Sequence, residues 1–101
     1  MTFVVEGLTT ARDINEQVRR IGEFQSLEEA LLAAKRVISD FLASESRPGM
    51  QPKRLFARYQ NFGEVPYIFR GDQGETVNVP GFNHMQYALA LCAELCERQT
   101  N

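Results

Sequence analysis

The sequence predicts a small α+β domain, and three observations support this prediction. Segments near 2–7 and 76–79 alternate apolar and polar residues, and 65–69 is a continuous apolar run, as is typical of strands. Apolar residues recur at helical spacing after Ser26 and again after Asn83. We therefore expect a two-layer α+β sandwich with a short, mainly antiparallel sheet of about four strands, two longer helices and one short helix.

Length and composition fit one soluble domain. The chain has 101 residues, of which 44% are apolar, and its net charge is −2. One modest core can form at this size, so we expect a single domain over 1–101. The first residues show no secretory signal, and no apolar run is long enough to cross a membrane. We therefore expect a cytoplasmic protein without membrane contact.

The first strand is expected near 2–7, with Gly7 as its end. Two alternatives remain for residues 8–24. A capping-box pattern at 10–13, followed by apolar residues at helical spacing, favours a helix. The segment 17–24 is instead rich in strand-forming residues close to a hairpin partner. We favour this second alternative, a strand that pairs with the first.

The helical segments carry recognisable start and stop residues. Ser26 and Glu29 form a capping box in front of an amphipathic helix near 27–44. Pro52 is suited to the first position of a second, shorter helix, which Gly63 can end. The middle of the chain is therefore expected to be helical.

The last third of the sequence predicts a hairpin and a helix. A buried strand at 65–69, a tight turn at 71–74 and a return strand at 76–79 form the hairpin. Asn83 can cap the last helix, which should run to about Arg98.

A candidate ligand site lies around the hairpin and the start of the last helix. His84 is the only histidine, and the helix dipole should lower its pKa there, leaving a neutral imidazole that can act as a base or ligand. If the hairpin and this helix face one cleft, Glu64, Tyr67, Asp72 and His84 would form the site of a small-ligand binder or minor enzyme. The alternative is a purely structural role for each of them.

A second candidate site is the basic stretch from 46 to 63, which contains no acidic residue. Its cations are Arg47, Lys53, Arg54 and Arg58. With the aromatic residues nearby they could bind an anion, an acidic protein partner or single-stranded nucleic acid. Nucleic acid is the less favoured of these partners because no RNA-recognition motif is present.

No cofactor or metal is expected. Cys92 and Cys96, the only cysteines, share one helix face and are interpreted as small, reduced core residues. His84 lies on another side of that helix, so the three do not form a metal site. Since the catalytic and nucleotide-binding motifs are also absent, we favour a role without catalysis over the alternative of a minor enzyme. The preferred hypothesis is a small accessory or protein-interaction domain, with homodimer formation through an open edge or face of its sheet.

Overall fold

A computed structural model describes residues 2–9, 18–71, 76–77, 79 and 82–100 of the chain. Three strands and three helices occur in these ranges. In chain order they are β1 (Phe3–Thr9), β2 (Val18–Phe24), α1 (Leu27–Glu45), α2 (Pro52–Phe62), β3 (Glu64–Arg70) and α3 (His84–Thr100). The predicted α+β class is confirmed.

The strands form one antiparallel sheet in the order β2-β1-β3. Three strands are thus present in the described part of the chain, where about four were predicted. The expected return strand near 76–79 contributes one isolated bridge, between Thr76 and Phe69, and the N–H of Val77 donates to the carbonyl of Ile68 at 2.8 Å. Most of the turn predicted at 71–74 lies outside the described residues.

Of the two alternatives for residues 8–24, the described residues show the strand. Strand β2 (Val18–Phe24) corresponds to the strand predicted near 17–24. Its register with β1 shifts between Val5, which pairs with Gly22, and Glu6, which pairs with Arg20. Ile21 is therefore an extra residue in a β-bulge. The bulge changes the alternation of β2, so that residues three apart across it lie on the same face of the sheet.

Helix α1 carries a buried stripe that winds around its axis. The stripe consists of the fully buried residues Ala30, Ala34, Ile38 and Leu42, spaced four apart. Because each residue advances about 100° around a helix, each step of four drifts by about 40°, and the stripe has turned by about 120° at its end. The two ends of α1 therefore bury side chains in different directions.

These two directions correspond to two hydrophobic cores. The buried residues between α1 and the sheet are Val5, Ala30, Ala34 and Ile68. Those between the three helices are Ile38, Leu42, Leu55, Tyr59, Ala88, Cys92 and Cys96. One end of α1 thus packs on the sheet, while its other end packs on α2 and α3.

The predicted helix caps are confirmed. Ser26 Oγ accepts the N–H of Glu29 at 3.1 Å at the start of α1. Asn83 Oδ1 accepts the N–H groups of Met85 and Gln86 at 3.0 and 3.1 Å at the start of α3. These bonds satisfy amide groups that lack a partner within the helix.

The prediction that Gly7 ends the first strand is wrong. Gly7 lies within β1, paired with Arg19 on one side and Pro66 on the other. The side chain of Glu64 crosses the strand at this point to reach Arg19, and a Cβ at Gly7 would overlap that side chain. Glycine thus leaves room for this side chain to pass within the sheet.

We expect Gly7→Ala to destabilise the domain by at most about 1 kcal/mol, because the new methyl group displaces the flexible Glu64 side chain and weakens its partly exposed ion pair with Arg19. Urea unfolding of the single variant and of the same change in a Glu64→Ala background measures this effect. The penalty should largely disappear in that background, since the obstructing side chain is gone. An equal loss in both backgrounds would contradict this explanation.

Candidate functional site

The face of the sheet opposite α1, termed the open face, consists of three cross-strand rows. One row is Val18, Leu8 and Val65, the next is Arg20, Glu6 and Tyr67, and the third is Glu23, Val4 and Phe69. Six of these nine side chains are apolar, and none of the nine is buried. The apolar residues thus lie mainly on β1 and β3, and the charges lie mainly on β2.

Two apolar residues of the open face are highly exposed. Val18 is 58% exposed and Tyr67 is 41% exposed. Both line a shallow hollow of about 280 Å³, together with Leu8 and Phe69. Antiparallel sheets that cover a core on one face usually present polar residues on the other. An exposed apolar surface of this kind is typical of an interaction site.

The charged residues of the open face include both signs. Arg20 Nη2 lies 2.8 Å from Glu23 Oε2, an ion pair that the bulge makes possible by placing both residues on one face. Glu6 is the cross-strand neighbour of Arg20, and Arg70 lines a hollow with both. The open face and its border therefore carry two cations and two carboxylates, and their charges cancel.

The residues of the predicted ligand site lie in different places. Tyr67 and His84 line a common hollow of about 220 Å³ next to the start of α3. Glu64 borders another groove, on the opposite face of the sheet, and Asp72 lies outside the described residues. The structure thus brings two of the four residues together, and the complete site stays a prediction.

His84 is hydrogen-bonded to a buried tyrosine. The hydroxyl of Tyr59, a residue only 1% exposed, lies 3.2 Å from His84 Nδ1. A buried hydroxyl proton without a partner costs about 1–3 kcal/mol, so we assign Tyr59 as the donor and Nδ1 as the acceptor. Nε2 then carries the ring proton. Burial lowers the pKa of His84 and raises the pKa of Tyr59. Burial thus shifts the pKa of His84 in the direction that the sequence predicts from the helix dipole.

A larger groove, the α1–β2 groove, was not predicted from the sequence. It has a volume of about 550 Å³, and Arg19, Ile21 and Phe24 of β2 line one side. The other side is formed by Ala33, Arg36, Val37, Asp40 and Phe41 of α1. Glu64 enters it from β3. The spacing of Arg36 and Asp40 on one helix side was visible in the sequence, but the strand opposite them was not.

Glu64 and Arg19, which both line this groove, form a bidentate ion pair. Arg19 Nε and Nη2 donate to the two carboxylate oxygens at 3.0 and 2.6 Å. This hydrogen bonding raises the pKa of Arg19. Such paired bonds are geometrically specific, so the ion pair ties the two outer strands together across β1.

The basic stretch is partly engaged within the fold. Arg47 donates to the carbonyls of Ser44 and Ser46 at 2.9 Å, near the end of α1. Arg58 pairs with Glu45 at 3.0 Å and lies over the Phe62 ring. Lys53 and Arg54 are exposed on α2 and, within the ranges that the structure describes, make no ion pair. Binding of an anion or an acidic partner by the stretch stays a prediction.

Both cysteines are free and buried, as predicted for core residues. Burial, with a smaller contribution from Cys96, raises the pKa of the Cys92 thiol to about 11. The thiol is therefore protonated at neutral pH, and a protonated thiol is a poor nucleophile and metal ligand. Across the described ranges, no three His, Cys, Asp or Glu side chains are grouped as metal ligands.

We expect acidification to destabilise the domain through His84. Burial lowers the pKa of His84 in the folded state below its ordinary value of 6.5, so the unfolded chain binds the proton more readily. This contribution to stability is complete above 6.5 and is lost as the pH falls through 6.5 toward the lower folded value. Urea unfolding near pH 7.5 and near pH 5.5 measures the loss.

The His84→Gln variant should remove most of this pH dependence in the same range. The imidazole can also be titrated directly by NMR without ambiguity, because the chain has one histidine. An imidazole that titrates at or above its ordinary pKa would contradict the prediction.

Comparison with protein families, with curated proteins and with solved structures finds no match to this chain. Among the helices that the structure describes, none combines the length and hydropathy needed to cross a membrane.

Proposed function

We propose that this chain is a non-catalytic protein-interaction domain that forms a homodimer through the open face of its sheet. The observation that carries the proposal is the composition of that face, where six of nine side chains are apolar and none is buried. Covering these side chains removes apolar surface from water, which is the main driving force of protein association. Val18 and Tyr67 would contribute most, since they are the most exposed large apolar residues there.

The charges of the open face favour a second copy of the chain as the partner. A two-fold interface must be complementary to itself, because the same surface occurs on both sides. Arg20 lies beside Glu6 and Glu23, so each copy offers both signs to the other. A strongly acidic or strongly basic partner would instead leave half of these charges opposed to like charges.

The size of the open face predicts a dimer of moderate affinity. Three strands of seven residues, at typical strand spacing and rise, span about 14 by 23 Å. This is smaller than the roughly 800 Å² per partner of a standard interface. We therefore expect monomer and dimer to be in equilibrium, with a dissociation constant in the micromolar range and the two sheets packed face to face.

A role without catalysis agrees with how the reactive groups are used. Glu64 is held by Arg19, His84 Nδ1 by Tyr59, and the Cys92 thiol is protonated in a core. Two buried, free thiols also suit a reducing compartment, and we propose the cytoplasm as the location. The two-layer sandwich belongs to the same proposal: the helices and the sheet would be its two layers, and the uncovered face of the sheet would meet a second copy.

The basic stretch is the less favoured interaction site. Arg47 and Arg58 already bind carbonyl or carboxylate groups of the fold. Lys53 and Arg54 remain as the cations for an acidic partner, and two cations supply only a small electrostatic gain. We therefore place the main interaction on the open face.

The test is the mass of the protein by light scattering after gel filtration, over a range of concentrations. The unchanged chain should shift from monomer to dimer as its concentration rises. Val18→Lys and Tyr67→Lys should each weaken the dimer by at least about tenfold, because each copy would bring a lysine into the apolar surface that the dimer covers. Circular dichroism establishes that the variants are folded.

Leu89→Lys provides the matched control. Leu89 is 50% exposed but lies on α3 and does not line the hollow of the open face, so this variant should form dimers like the unchanged chain. A chain that stays monomeric at every concentration would refute the proposal. So would a dimer that Leu89→Lys disrupts and both variants of the open face leave intact.

A further inference from the structure

We infer that the α1–β2 groove binds a free amino acid with an apolar side chain. This inference is independent of the proposed dimer, because the groove and the open face lie on opposite sides of the sheet. The volume of the groove, about 550 Å³, falls in the range of small-molecule sites. Two features of the groove indicate this ligand: its apolar lining and the two charges at its wall.

The lining of the groove is suited to an apolar side chain. It is formed by Ile21, Phe24, Ala33, Val37 and Phe41, all partly buried. Because these residues come from both β2 and α1, a ligand between them would be in contact with apolar groups on two sides. Burial of a branched or aromatic side chain here would supply most of the binding free energy.

The two charges at the wall suit the main-chain groups of an amino acid. Arg36 and Asp40 line the groove from the same side of α1. Although they are four residues apart, neither makes an ion pair with the other or with any other residue that the structure describes. A guanidinium and a carboxylate one turn apart thus remain available to a ligand.

A zwitterion is the charge-complementary ligand for this pair. Its carboxylate would accept hydrogen bonds from Arg36, and its ammonium group would donate to Asp40. The other two charges of the groove, Arg19 and Glu64, are bound to each other at 2.6 Å. They therefore neutralise each other and attract a ligand of neither sign.

Isothermal titration calorimetry with four compounds tests each part of this argument. L-Phenylalanine has an ammonium group, a carboxylate and an apolar side chain. Of the other compounds, 3-phenylpropionate lacks the ammonium group, 2-phenylethylamine lacks the carboxylate, and glycine lacks the apolar side chain. We expect L-phenylalanine to bind, and each of the other three to bind at least about tenfold more weakly. NMR shift changes at Ala33 and Val37 should locate the ligand in the groove.

Variants separate the two charge contacts. Asp40→Asn should weaken L-phenylalanine by about tenfold and leave 3-phenylpropionate unchanged, whereas Arg36→Gln should weaken L-phenylalanine and leave 2-phenylethylamine unchanged. Lys35→Gln is the control, since this cation also lies on α1 but is placed over the Tyr87 ring and does not line the groove.

The inference is overturned if L-phenylalanine does not bind at millimolar concentration. It is also overturned if binding is equally strong without the ammonium group, or if both groove variants bind as the unchanged chain does. The oligomeric state measured for the dimer proposal does not affect any of these outcomes. Failure of one proposal can therefore be told apart from failure of the other.

Discussion

The structure depends on the winding of one buried stripe on α1. Its residues are spaced four apart, so the stripe turns by about 120° between Ala30 and Leu42. Small alanines at one end let the helix approach the sheet, and Ile38 and Leu42 fill the wider space between three helices. A stripe alternating three and four residues would have kept one direction and joined the two cores into one.

The open face is a consequence of this arrangement. Because half of α1 is used for packing against the other helices, a single end of one helix supports the sheet core. The sheet therefore needs cross-strand interactions of its own. The Arg19–Glu64 ion pair, which passes over Gly7, joins both outer strands on the side of α1. The opposite side, with Tyr67 and its apolar neighbours, is left without a buried side chain among its nine residues.

The parts of the fold that could be predicted from the sequence are those specified by local signals. The side chains of Ser26 and Asn83 accept hydrogen bonds from backbone N–H groups only two or three residues away. Both helix starts could therefore be predicted correctly. Gly7 was misread as a strand end because its reason lies in Glu64, more than fifty residues along the chain. The α1–β2 groove was missed for a similar reason. Its two walls, β2 and α1, come together only when β2 has paired with β1 and α1 has packed on the sheet. No residue spacing in the sequence indicates this arrangement.

The candidate ligand site shows how strand boundaries decide which residues can act together. The sequence placed Glu64 just before a strand, where its side chain could join Tyr67. In the structure the strand begins at Glu64, and residues an odd number apart on a regular strand point to opposite faces. The bulge in β2 has the reverse effect, bringing Arg20 and Glu23 to one face although they are three apart. Arg19 and Arg20 consequently lie on opposite faces of the sheet, so the proposed amino acid in the groove and the proposed second copy on the open face would not compete for the same surface.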